Sequence, residues 1–177
     1  MNVPVTVNGV TVEIPVDDEV IQKAFREKQK ETGYEKVISG DNFYLAGPSS
    51  TKVCTETNYN TMSDIGSFDV ANYYSDKNVA KNNIRADTLM RQLRRFAAEH
   101  GGFPVDKNQV KWQILCEYRT DTLKHKMYVS SSGRIRRFGS IYFATEEAAN
   151  RAIEEFHDEL MWYFTEYDPM PSGWWDN

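Results

Sequence analysis

The chain has 177 residues, of which 40% are hydrophobic and 13% aromatic, a composition typical of a folded domain and not of a disordered chain. No run of about 18 uninterrupted apolar residues occurs, so the sequence contains no candidate transmembrane helix. The formal net charge of −5 conceals three segments: residues 1–76 have 12 acidic and 6 basic side chains (net −6), residues 77–137 have 5 and 14 (net +9), and residues 138–177 have 9 and 1 (net −8). Either these segments neutralise each other within the fold, or a charged face binds an oppositely charged partner.

The N-terminal region, residues 1–35, predicts a β-hairpin followed by a helix. Residues 3–14 alternate between β-branched and polar side chains, and Asn8-Gly9 between the two runs is a strong hairpin-turn pair. Pro15 ends the second strand, Asp17 or Asp18 caps the predicted helix, and Gly33 ends it. The first residues contain neither a basic nor a continuous apolar segment, so we expect no signal peptide.

Residues 36–103 predict a β-β-β-α unit. Strands are expected at residues 42–46 and 52–59, with a turn between them, and residues 60–69 read as an irregular surface loop. A third short strand is expected at residues 71–74. Ser75 or Asp76 then caps a long helix that continues to about His100 and ends at Gly101-Gly102.

Residues 104–168 predict a second unit of the same plan. Strands are expected at residues 110–118, at 126–130 and within 135–143, and Thr145 caps a helix that runs to about residue 167. The two units overlay with an offset of 69 or 70 residues, although two similar units could also arise by chance. We therefore predict an α+β fold in which the N-terminal hairpin and helix precede two degenerate β-β-β-α units packed together. The tail, residues 169–177, contains Trp174-Trp175 and either folds back on the core or docks a partner.

The sequence shows no catalytic or cofactor-binding motif. His100, His125 and His157 have no partner at metal-ligand spacing, and nucleophile elbows, phosphate-binding loops and dinucleotide-binding loops are absent. Cys54 and Cys116 lie far apart in predicted strands without a neighbouring histidine, which favours two free thiols in a reducing cytoplasm. We therefore expect no enzyme activity, no metal and no cofactor.

The last helix contains the first candidate binding face. A rotation of 100° per residue places Trp162 on the side opposite Ile153, among acidic residues, so we predict an exposed tryptophan on an acidic surface. Tryptophan is a frequent interface anchor, and an array of carboxylates can imitate nucleic-acid phosphates. The predicted partner-binding residues are Glu155, Asp158, Glu159, Trp162 and Glu166. The alternative is that Trp162 packs beneath a neighbouring loop and the carboxylates only solubilise the helix.

A second candidate face is basic and would bind nucleic acid or an acidic partner. It comprises four residues across from the apolar stripe of the long helix and three in the segment that follows the second hairpin: Lys77, Lys81, Arg91, Arg95, Arg134, Arg136 and Arg137. Residues 136–143 also locally resemble the aromatic RNP1 strand of an RNA-recognition motif. In this chain Arg137 replaces the usual glycine and Ser140 replaces the central stacking aromatic.

The layout as a whole resembles small proteins encoded by phages and prophages of Gram-positive bacteria, a type that includes anti-CRISPR proteins. The resemblance lies in the residues 5–9 hairpin, the residues 40–44 strand and the aromatic segments at residues 72–74 and 141–143. It implies a non-enzymatic inhibitor, acting in the bacterial host cytoplasm, that binds and occludes a host defence nuclease such as the CRISPR–Cas effector Cas9 or its nucleic-acid complex. The alternatives are a nucleic-acid-binding accessory protein of a phage or mobile element and a structural or regulatory phage protein.

Overall fold

The computed structural model describes residues 2–7, 10–15, 17, 19, 32–47, 52–102, 109–132, 137 and 139–171. The predicted N-terminal hairpin is confirmed, with β1 at Asn2–Val7 antiparallel to β2 at Val10–Pro15. Most of the predicted helix between residues 17 and 33 lies outside the described residues. The Oδ1 atom of Asp17 does accept a hydrogen bond of 3.1 Å from the backbone N–H of Glu19, which is the contact that a helix N-cap makes.

The first predicted unit contains β3 at Asn42–Ala46, antiparallel to β4 at Val53–Thr57. The expected third strand is reduced to one bridge, in which Tyr44 and Tyr74 exchange two backbone hydrogen bonds of 2.8 Å. The ladder stops there because the side chain of Asn72 accepts a 2.8 Å hydrogen bond from the backbone N–H of Ala46. A side chain thus occupies the position that a further strand residue would take.

The predicted loop at residues 60–69 is wrong, because the structure has helix α1 at Met62–Asp69 there. A capping box begins this helix: the Thr61 hydroxyl accepts from the Asp64 backbone, and the Asp64 carboxylate accepts from the Thr61 backbone. Asp64 also accepts a 3.0 Å hydrogen bond from the Tyr59 backbone. The backbone hydrogen bond from Thr61 is the main cause that lowers the pKa of Asp64.

Helix α2 at Lys77–Glu99 is the central element and matches its prediction closely. Asp76 caps it through hydrogen bonds of 2.7 and 2.8 Å from the backbones of Asn78 and Val79. At its far end Gly101 and Gly102 adopt φ values of +108° and +75°, a left-handed conformation that glycine adopts at little cost. Its buried residues are Val79, Ala80, Ile84, Ala86, Leu89, Leu93, Phe96 and Ala97.

A carboxylate clasp fixes residues 32–35 to the start of α2. Glu35 accepts hydrogen bonds from the backbones of Thr32 and Gly33 and a 2.6 Å hydrogen bond from the Ser75 hydroxyl. Burial alone would raise the pKa of Glu35, but these hydrogen bonds, led by the one from Ser75, lower it to about 2. Gly33 adopts φ +84°, and a Cβ there would lie 2.7 Å from the Val79 side chain.

The second unit repeats the plan, with β5 at Lys111–Arg119 antiparallel to β6 at Lys124–Ser132 and a bridge between Trp112 and Phe143. Thr145 caps helix α3 at Glu146–Glu155 by accepting a 3.1 Å hydrogen bond from the Ala148 backbone. The expected continuous last helix is interrupted at Phe156, and α4 follows at His157–Thr165. The segment that contains Arg134 and Arg136 lies outside the described residues.

The main core lies where the second half of α2 meets the second unit. Leu89, Leu93 and Phe96 of α2 pack with Phe143, with Leu160 and with the alanines of α3. A smaller cluster, built on Tyr74, Val79 and Ala80, joins the first half of α2 to the first unit. The α+β class is confirmed, and within the described residues the strands form three two-stranded antiparallel sheets.

Candidate macromolecule-binding surfaces

Trp162, the predicted exposed anchor, is buried, with only 8% of its surface exposed. The Arg85 guanidinium of α2 covers its ring at 3.9 Å from the centroid, within the range of a cation–π interaction. The prediction of an exposed tryptophan is therefore wrong. The helical-wheel estimate assumed one continuous helix from Ile153 to Trp162, whereas the chain is interrupted at Phe156 and α2 packs on the side assigned to solvent.

Arg85 also forms an ion pair with Glu159, one of the predicted acidic residues. Its Nε and a terminal nitrogen donate to the two carboxylate oxygens of Glu159 at 2.8 and 3.0 Å, a bidentate pair. The hydrogen bond to Glu159 is the largest cause that raises the pKa of Arg85. Both side chains remain about two-fifths exposed, so this pair adds little stability of its own. At this point the basic and acidic segments neutralise each other within the fold.

The other three predicted carboxylates are exposed. Glu155 lies at the end of α3, Asp158 at the start of α4 and Glu166 just beyond α4. Asp158 contacts its neighbour His157 at 3.0 Å, but its side chain is fully exposed. Glu154, which sequence reasoning did not select, is exposed beside Glu155. We call the set of Glu154, Glu155, Asp158 and Glu166 the acidic surface.

The basic residues predicted on α2 lie together on an exposed face. Lys77, Lys81, Arg91 and Arg95 are all exposed, and their spacing places them within about 80° of one another around the helix axis. We call these four the basic surface. Within the described residues, Arg95 approaches Glu99 at 4.0 Å with both side chains mostly exposed, and no ion pair involves the other three. Arg137 is exposed as well.

A surface groove of about 330 Å³ lies beside Arg85, between β4, α2 and α4. Its polar wall contains Lys81, Thr88, Gln92 and Glu159, and its floor is apolar. The basic surface therefore borders the Arg85–Glu159 pair through Lys81. Arg85 is paired with Glu159, whereas Lys81 and Arg91 have no ion pair within the described residues.

The histidines and cysteines form local contacts. The Nδ1 atom of His125 lies 3.9 Å from the sulfur of Cys116 across the second hairpin, which corrects the prediction that Cys116 has no neighbouring histidine. Burial raises the pKa of the Cys116 thiol, so the contact does not activate it as a thiolate. In the described part of the chain, no three side chains of metal-binding type are grouped as a metal site would require.

Comparison with protein-family models, curated proteins and solved structures found no match. Within the described residues, no helix is both long and apolar enough to cross a membrane. A function for this chain must therefore be inferred from its own residues.

Proposed function

We propose that this protein is a non-enzymatic inhibitor of phage type that binds and occludes a host defence nuclease in the cytoplasm of a bacterial host. The proposed target is a CRISPR–Cas effector such as Cas9, or its complex with nucleic acid, which is the class that the resemblance of the sequence implies. The observation that supports this proposal is the acidic surface, where Glu155, Asp158 and Glu166 are exposed on and beside two consecutive helices. We assign no metal or cofactor to this activity.

Exposed carboxylates on a fixed helical frame suit a basic nucleic-acid groove. A nuclease binds its substrate through lysine and arginine side chains that contact phosphates, and carboxylates at similar spacing can compete for the same cations. Complementary charge also accelerates encounter and makes the association rate sensitive to salt. In this proposal the contacts of Arg85 with Trp162 and Glu159 hold α4 against α2, and the partner contacts the exposed carboxylates of the acidic surface.

The test is recovery of a partner from bacterial host lysate by the tagged protein, followed by binding kinetics with the purified partner. Glu155→Lys combined with Asp158→Lys should slow association at least tenfold at low salt, because steering would become repulsive. The matched control, Glu56→Lys with Asp69→Lys, introduces the same charge change at exposed residues of β4 and α1 and should associate as the wild type does. Equal slowing in both double variants, or in neither, would contradict a role for the acidic surface.

A second candidate function is nucleic-acid binding through the basic surface. Its exposure favours this function, as does the absence of ion pairs at Lys77, Lys81 and Arg91 among the described residues. Glutamate at Lys77, Lys81, Arg91 and Arg95 should then abolish binding to DNA or RNA at about 50 mM salt, where phosphate contacts are strongest. The control places four glutamates at exposed lysines elsewhere, namely Lys36, Lys52, Lys124 and Lys126. An inhibitor that acts by protein contact need not bind bare nucleic acid, so wild-type protein without such binding would eliminate this second candidate.

Catalysis is tested directly on the purified protein. We expect no metal-dependent hydrolysis of DNA, RNA or nucleotides, because the sequence contains no paired acid and base or metal-binding motif. Reproducible hydrolysis that disappears on addition of EDTA would contradict a non-enzymatic function.

A further inference from the structure

Three side chains with soft donor atoms lie on one face of the second hairpin, and none of them belongs to either charged surface. Cys116 of β5 pairs directly with Met127 of β6, so both side chains are on the same face. His125 lies two residues before Met127 and therefore on that face as well. Its Nδ1 atom is 3.9 Å from the Cys116 sulfur. The antiparallel register thus brings together a thiol, a thioether and an imidazole, which spacing along the sequence did not reveal.

The distance between the Cys116 sulfur and the His125 nitrogen fits a shared metal ion. A metal bonded to a thiolate at about 2.3 Å and to an imidazole nitrogen at about 2.0 Å holds these atoms about 3.7 Å apart when the angle at the metal is about 120°. The observed separation of 3.9 Å is within about 0.2 Å of that value. As a hydrogen bond the same contact is weak, because a thiol is a poor donor.

The surroundings position these donors and leave one side open. Met127 is half-buried and packs against the main core, which fixes its backbone beside the half-buried Cys116. The Tyr118 ring, directly opposite His125 in the register, contacts the imidazole at 5.1 Å between ring centroids. His125 itself is exposed, so a metal ion would enter from solvent on that side.

We infer that Cys116, His125 and Met127 form a binding site for monovalent copper. Thiolate and thioether sulfur select soft ions such as Cu(I), and the flexible methionine side chain lets its sulfur adjust to a bound ion. Zinc fits less well, because its structural sites use four ligands and no three histidine, cysteine, aspartate or glutamate side chains are grouped among the described residues. As copper binds, the Cys116 thiol releases its proton to solvent, and the copper stays monovalent.

The test measures Cu(I) binding by the full chain without oxygen, in competition with a coloured Cu(I) chelator. The wild type should bind one ion at this site. His125→Gln and Met127→Leu should each weaken binding at least about tenfold, and Cys116→Ser at least about 100-fold, because loss of even an outer-shell partner weakens metal binding about 10- to 100-fold. The matched control, Cys54→Ser, removes the other free thiol, on β4, and should leave the affinity unchanged. Circular dichroism checks that each variant is folded.

An NMR titration of the wild type with Ag(I), a soft ion that is stable in air, tests the ligands without any substitution in the titrated protein. The Met127 methyl signal and the His125 ring signals, assigned by their loss in the two variants, should shift up to one equivalent of silver. Absence of these shifts, or no Cu(I) binding by the wild type, would overturn the inference. Equal weakening in Cys116→Ser and Cys54→Ser would also overturn it, as would wild-type affinity in both His125→Gln and Met127→Leu. These residues lie outside the acidic surface, so the result is independent of the proposed inhibitor function.

Discussion

Replacement of Trp162 by alanine should destabilise the protein strongly, because this side chain is 8% exposed and lies beneath Arg85. Burial of a tryptophan removes about 150–250 Å² from water, which at ~25 cal/mol per Å² amounts to roughly 4–6 kcal/mol. Alanine retains a small part of that burial, so the free energy of unfolding should fall by about 3–5 kcal/mol. Urea denaturation followed by circular dichroism measures this change without reliance on tryptophan fluorescence.

The matched control is Tyr59→Ala, since Tyr59 is an aromatic residue with 69% exposure. Its replacement should change the free energy of unfolding by no more than about 0.5 kcal/mol. A loss no larger than about 0.5 kcal/mol in Trp162→Ala, as surface substitutions give, would show that the side chain is exposed and that the Arg85 contact is absent in solution. A double-mutant cycle between Arg85→Ala and Trp162→Ala should give a coupling of about 0.5–2 kcal/mol, the range of cation–π pairs.

Two further substitutions test the carboxylate clasp, and a third tests the acidic surface. The pKa of Glu35 is lowered from 4.5 to about 2 in the folded protein, so its stabilising contribution is complete above about pH 4.5 and is lost as the pH falls towards 2. In Glu35→Gln the unfolding midpoint should therefore vary less with pH over this range than in the wild type. Gly33→Ala should lower the free energy of unfolding more than Gly40→Ala does, because both residues have positive φ but a Cβ meets Val79 only at Gly33. Thermal melts should show a loss of about 1–2 kcal/mol for Gly40→Ala, which comes from backbone conformation alone. Equal losses in the two variants would contradict the predicted clash. Glu155→Lys should leave the free energy of unfolding within about 0.5 kcal/mol of wild type, as at ordinary surface positions, and a larger loss would mean that the acidic surface is structural.

Local sequence rules predicted the helix starts and the hairpins well. The caps at Asp76 and Thr145 and the ends of β3 depend on residues within a few positions of each other, and such short-range hydrogen bonding is what the sequence patterns describe. Helix α1 was missed because its polarity suggested a loop, although Thr61 and Asp64 have the spacing of a capping box.

Predictions that depend on tertiary neighbours were less successful. The side of α4 that faces α2 could not be deduced from a helical wheel, because the interruption at Phe156 changes the phase of every later residue. The Cys116–His125 contact spans a hairpin turn, and only the strand register brings these side chains together. The positions of the charged residues on exposed faces of α2 and α3 did follow from the pattern, because an amphipathic helix fixes them relative to its apolar stripe.

The two units share a local geometry that supports the hypothesis of an internal duplication. In each unit the first strand forms a bridge with an aromatic residue, Tyr74 or Phe143, and the helix N-cap follows two positions later at Asp76 or Thr145. The helices then differ: α2 is continuous, whereas its counterpart stops at Phe156. Because the Phe156 ring packs edge-on against Phe96 of α2 at 5.6 Å, α4 restarts against α2 with Leu160 and Trp162 buried. Beyond this interruption Trp162 lies beneath Arg85 of α2, and the neighbouring Asp158 and Glu166 are exposed to solvent.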